Sequence, residues 1–125
     1  MLRPGRRALT FLLAAAVLTV LAGCGQTRLT GNDRTLFVAL TDYRVTPQNV
    51  RVSSGPLTIL VHNYGRLTHN LSVSLDGHAS ATTRPIWPGQ SAELTLTLAP
   101  GTYQMASTIL SDQDLGEYGT LKVSS

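Results

Sequence analysis

Beyond residue 34 apolar and polar residues alternate with a period of two. Leu57, Ile59 and Val61 interleave with Thr58, Leu60 and His62; Leu71, Val73 and Leu75 with Ser72 and Ser74; Leu94, Leu96 and Leu98 with Glu93, Thr95 and Thr97. Successive side chains of a strand point to opposite faces, so this alternation predicts strands that bury one face and wet the other. Further strands are expected over 35–42, 50–53, 102–107 and 118–123, each bounded by Gly, Pro, Asn or Asp. Seven or eight short strands and no helical periodicity predict an all-β Greek-key sandwich of two antiparallel sheets, with a closed barrel as the alternative architecture.

The first part of the chain breaks the pattern. Arg3, Arg6 and Arg7 precede a mostly apolar run from Ala8 to Leu21, and Leu21-Ala22-Gly23-Cys24 follows. A positive start, a short apolar run and small residues before a cut are the layout of a cleavable export signal. The run is shorter than the roughly 20 residues that a membrane-spanning helix needs. With its single cysteine, the segment resembles the lipobox of bacterial lipoproteins, which implies diacylglycerol on the Cys24 sulfur and cleavage before it. Residues 1–23 are then a signal peptide, 24–34 a lipidated cysteine with a polar tether, and 35–125 the sandwich. The expected location is the extracytoplasmic face of the cell membrane, held by the N-terminal lipid. Arg6-Arg7 leaves the twin-arginine route open beside the general secretory one. A lone cysteine excludes an intramolecular disulfide.

Processing also changes the charge. The formal net charge of +3 equals the three arginines of the signal, so the exported part carries as many acidic as basic residues. The basic residues are scattered singly, which argues against nucleic acid as a partner, since that needs a clustered basic face.

The C-terminal third reads Pro100-Gly101-Thr102-Tyr103-Gln104-Met105-Ala106-Ser107 and then Gly116-Glu117-Tyr118-Gly119-Thr120-Leu121-Lys122-Val123. Upstream stand Asn63-Tyr64-Gly65, His69-Asn70 and Pro88-Gly89-Gln90-Ser91. Together these resemble the cupredoxins, the fold of the plastocyanins and azurins, over essentially the whole exported part. The resemblance implies a blue-copper position with two imidazoles, a thiolate and a weak thioether. Laid on this chain it puts His69 at the first histidine, Ser107 at the cysteine, Asp112 at the second histidine and Glu117 at the methionine. Only His69 keeps the ligand type. Alternation agrees on direction: His69 shares the parity of Leu71 and Val73, and Ser107 that of Tyr103 and Met105, so both point inward.

Three readings follow for His69, Ser107, Asp112 and Glu117. The first is a degenerate copper site with a locally hydrogen-bonded Ser107, a hydrogen-bonded histidine and solvated loop carboxylates. The second is a site for copper or another divalent ion built from His69, Asp112 and Glu117. The third takes Asp112-Gln113-Asp114-Leu115-Gly116 as half of a calcium loop, which lacks the required oxygen ligands. Ser107, His69 and Asp112 also supply the residue types of a hydrolytic triad, but no glycine-flanked elbow presents the serine and its parity buries it. The expectation is a noncatalytic binding or accessory module with no cofactor and an envelope protein as partner, the alternative being a metal-binding protein. His62 and His78 are expected at the surface, and Trp87, between Pro85 and Pro88, is expected to pack against a sheet edge, the alternative being a partner-binding aromatic.

Overall fold

The structure, a computed structural model, describes residues 26–29 and 34–125. Cys24 and the segment expected to be a signal lie outside the described residues. The strands are β1 (Gln26–Arg28), β2 (Thr35–Thr41), β3 (Arg44–Thr46), β4 (Asn49–Ser53), β5 (Gly55–Asn63), β6 (Ser72–Leu75), β7 (His78–Thr82), β8 (Ser91–Leu98), β9 (Gly101–Ala106) and β10 (Tyr118–Ser124). They form a six-stranded sheet ordered β1-β4-β10-β9-β6-β7 and a four-stranded sheet ordered β3-β2-β5-β8.

The alternation read from the sequence builds the interior. Leu36, Val38 and Leu40 of β2 and Leu57, Ile59 and Val61 of β5 face Val50, Val52, Met105, Leu121 and Val123 of the other sheet, and all are buried. Two inner faces hidden against each other are what a sandwich needs for a single apolar core. Asp76 and Gly77, both at positive φ, join β6 to β7 with Leu75 opposite His78. Both central residues of such a two-residue loop must adopt φ > 0, the reason an Asp-Gly pair suits it.

Three features depart from the sequence expectation. The sheets are mixed rather than antiparallel: β1 pairs with β4, β4 with β10 and β2 with β5 in parallel. Alternation reports which face a residue takes, not the direction of its neighbour. The short strands β3 and β7 went unpredicted because three residues of β3 and a largely exposed β7 carry little apolar signal. The stretch expected as tether contributes β1, in register with Asn49–Arg51, and the Leu29 amide extends the pairing to the Arg51 carbonyl at 3.0 Å.

The registers place chain segments at two poles. Starts of β1, β3, β4, β6, β8 and β10 and ends of β2, β5, β7 and β9 lie at one pole. That pole therefore carries the loops 42–43, 64–71, 83–90 and 107–117, whereas the opposite pole has the short turns around Ser54, Gly77 and Pro100.

Candidate functional site

His69 arrives at the loop-rich pole in a short bridge to Ile86, with its amide 3.1 Å from the Ile86 carbonyl and its carbonyl 2.7 Å from the Ile86 amide. Asn63, at the end of β5, fixes this corner: its side-chain amide donates to the carbonyls of Leu67 and Ile86, both at 2.8 Å. The loop 107–117 is closed on itself, since the Ser107 amide reaches the Glu117 carbonyl at 3.1 Å and the Glu117 amide the Asp112 carbonyl at 3.0 Å. Gly116 can make this turn because its φ is 110°, a region open chiefly to glycine.

These constraints bring the four predicted residues together. His69, Ser107 and Glu117 have no exposed surface and Asp112 has 6 %. His69 Nδ1 lies 2.8 Å from Asp112 Oδ2 and 3.5 Å from Glu117 Oε2. Ser107 Oγ donates to the same Asp112 Oδ2 at 2.6 Å and accepts from the Asn70 amide at 3.2 Å. Glu117 Oε2 accepts from the Tyr43 amide at 2.5 Å, while Oε1 is buried with no partner. The inward parity of His69 and Ser107 is confirmed. The solvated loop carboxylates are not found: Asp112 and Glu117 are inside, drawn in by the closed loop.

A fifth residue was missed. Asp42 follows β2 and accepts from His69 Nε2, at 2.9 Å from Oδ1. The Arg66 and Leu67 amides hold that carboxylate at 3.0 and 3.2 Å. A side chain on Gly65 would collide with the Asp42 carboxylate, so the loop passes here only as glycine. Asp42 carries no alternation signal and stands 27 residues from His69; only the parallel pairing of β2 with β5 makes them neighbours.

Both His69 nitrogens thus face carboxylate oxygens. Two such bonds require a proton on each nitrogen, so the geometry describes an imidazolium between two carboxylates. Burial pushes His69 downward, but the bonds to Asp42 and Asp112 and the charge of Glu117 outweigh it and hold it above its ordinary 6.5. The bond to His69, with the loop amides of Arg66 and Leu67, holds Asp42 below the usual carboxylate range. Burial pushes Glu117 up to about 7, against the opposing effects of His69 and the Tyr43 amide.

Asp112 stands between Ser107 and His69, so the serine has a carboxylate rather than an imidazole as partner, which is not the arrangement of an activated nucleophile. His78 is exposed at the start of β7 as expected. His62 is half-buried, 2.6 Å from Ser91 Oγ, with its ring centroid 4.3 Å from that of Tyr64 and the two rings tilted by 57°. Trp87 does not pack on a sheet edge; 63 % of it is exposed. The Pro85 to Pro88 segment is committed to the His69–Ile86 bridge, and that turns Trp87 outward.

A family profile described as a cupredoxin-like domain matches residues 12–117. Among solved structures, reduced auracyanin from Roseiflexus castenholzii is 20% identical with a TM-score of 0.68, over 76% of this chain and 100% of that one. Auracyanin A, described as a blue copper protein from Chloroflexus aurantiacus, is 18% identical with a TM-score of 0.64, over 80% and 100%. An azurin from Methylomonas sp. strain J is 14% identical with a TM-score of 0.65, over 74% and 99%. No curated protein matches the sequence significantly.

Proposed function

The chain belongs to the cupredoxin-like family, and from that premise we propose that it is a noncatalytic, extracytoplasmic binding or accessory module, lipid-anchored through Cys24, whose blue-copper position is rebuilt as a hydrogen-bonded ion cluster. The observation that carries this reading is His69 held between Asp42 and Asp112 through both ring nitrogens.

Blue copper does not fit these residues. The chemistry needs a thiolate and two imidazoles. The single cysteine of the chain is Cys24, in the lipobox, and Ser107 is already engaged with Asp112. His69 is the one imidazole in the cluster. A hydroxyl cannot supply copper–sulfur covalency, and the carboxylates are hard donors where the blue centre uses soft ones.

A second reading has its own observation. Ligand atoms of His69, Asp112 and Glu117 lie within 4.8 Å of one another, and Glu117 Oε1 is a buried oxygen without a partner. One imidazole and two carboxylates suit zinc or a similar divalent ion. One distance favours the first reading: Nδ1 and Asp112 Oδ2 are 2.8 Å apart, a hydrogen bond, whereas two ligands on a tetrahedral zinc are separated by about 3.4 Å; the 3.5 Å from Nδ1 to Glu117 Oε2 suits the second.

Metal titration of the purified protein, followed by calorimetry and by the visible spectrum with copper, tests both. The cluster reading expects no stoichiometric site and no intense visible band. A one-to-one submicromolar site that weakens at least about tenfold in His69→Ala would establish the second reading instead.

A further inference from the structure

Resting on the lipoprotein reading, we propose that the pole carrying the His69 cluster is the membrane-facing end of the molecule, with lipid covering its exposed aromatic and leucine side chains. Two independent observations lead there.

The first is the distance from the anchor. Were residues 24–34 a free tether, the domain could sit up to about 35 Å from the lipid and turn in any direction. Strand β1 removes that freedom. Gln26 pairs with Asn49, and Leu29 packs on the core. Cys24 is two residues from Gln26, a span of at most about 7 Å. Because β1 runs parallel to β4 and β10, its first residue points to the pole where those strands begin. Gln26 and Thr27 line a shared cleft with Tyr43, Gln48 and Gly116, beside the loop that supplies Asp112 and Glu117. A lipid on Cys24 therefore leaves the fold at this pole.

The second is the surface there. Among the described residues eight large apolar side chains are exposed, and all but Phe37 lie on the loops or strand ends of this pole. Leu110, 97 % exposed, and Leu115 project from the closing loop; Trp87, Tyr64 and Tyr43 come from the other loops. The opposite pole shows none, its turns being Ser54-Gly55, Asp76-Gly77 and Pro100-Gly101. Exposed Arg44 and Arg66 stand among these residues. Tyrosine and tryptophan with leucine and arginine match the depth at which a bilayer turns from headgroup to hydrocarbon. The two acyl chains of a diacylglycerol on Cys24 suffice to hold the protein at the bilayer, so the contact of these side chains with the same surface sets its orientation rather than its attachment.

The cluster then lies under a lipid-facing cap, and a protein partner would have to use the outer sheet faces or the far pole. Trp87 is the single tryptophan and supplies the probe. The mature lipidated protein is reconstituted in phosphatidylcholine vesicles, and Trp87 emission is measured with brominated acyl chains and with aqueous iodide. Brominated lipid should quench about twofold, and iodide should quench less than in a Cys24→Ser protein in solution. Insertion of about ten Gly and Ser residues after Gly25 should weaken the lipid quenching. Two probes moved in a Trp87→Phe background map the contact: Leu110→Trp should be quenched by lipid and Phe37→Trp by iodide. Lipid quenching at Phe37→Trp alone, or iodide access at both probes, overturns the proposal. So does shielding of Trp87 that appears only when other envelope proteins are added, which assigns the pole to a protein. Mass spectrometry separates the premise from the inference: an unacylated Cys24 refutes the anchor, whereas an acylated Cys24 with a water-exposed Trp87 refutes the orientation alone.

Discussion

Replacing Glu117 by glutamine should stabilise the metal-free protein at alkaline pH and leave it almost unchanged at acid pH. Glu117 is fully buried, and its Oε1 has no partner, so burial makes ionisation costly and raises the carboxyl from 4.5 to about 7. Below pH 4.5 the side chain is protonated in both folded and unfolded chains and contributes no pH dependence. Between 4.5 and 7 the unfolded chain releases its proton and the folded one retains it, so stability falls as pH rises. That gap corresponds to a loss of about 3 kcal/mol, complete above pH 7. Glutamine has the shape of the protonated acid and cannot ionise, and its oxygen can keep the Tyr43 amide. Guanidinium unfolding of wild type and Glu117→Gln in a soluble form beginning at Gly25, with EDTA present, should give stabilities that coincide near pH 4.5 and diverge by up to about 3 kcal/mol near pH 8. Parallel pH profiles, or a variant destabilised equally at both ends, would refute the reasoning. His69 adds a residual slope in both proteins. Its folded value is raised, so its contribution is present below 6.5 and is lost as pH rises through that higher value.

Two further substitutions test the frame. Ser107→Ala leaves Asp112 Oδ2 without its 2.6 Å donor and the buried Asn70 amide without its acceptor, and should cost about 1–3 kcal/mol in the same assay. Gly119→Ala should lower stability by about 2 kcal/mol or more, because a methyl group there collides with the Gln48 carbonyl where β10 passes β4; a shift in thermal midpoint below one or two degrees would contradict that close approach.

Local chemistry in the sequence determined the strands and the faces they present. Alternation around Ile59, Val73 and Leu121 fixed which side chains are inside, and the same parity carried His69 and Ser107 inward, because neighbouring residues on a strand must take opposite faces. The missing thiolate was legible from composition, since the one cysteine in the chain is Cys24, far in sequence from Ser107. Pairing was not legible, because a residue's face says nothing about the strand beside it. The tertiary structure alone decided that β2 runs parallel to β5, and so that Asp42 meets His69. It buried Asp112 and Glu117 by closing their loop on Ser107, turned Trp87 outward by binding Ile86 to His69, and docked Gln26–Arg28 on β4. Each is a contact between segments far apart in the chain, whose energy exists only once the two sheets have packed.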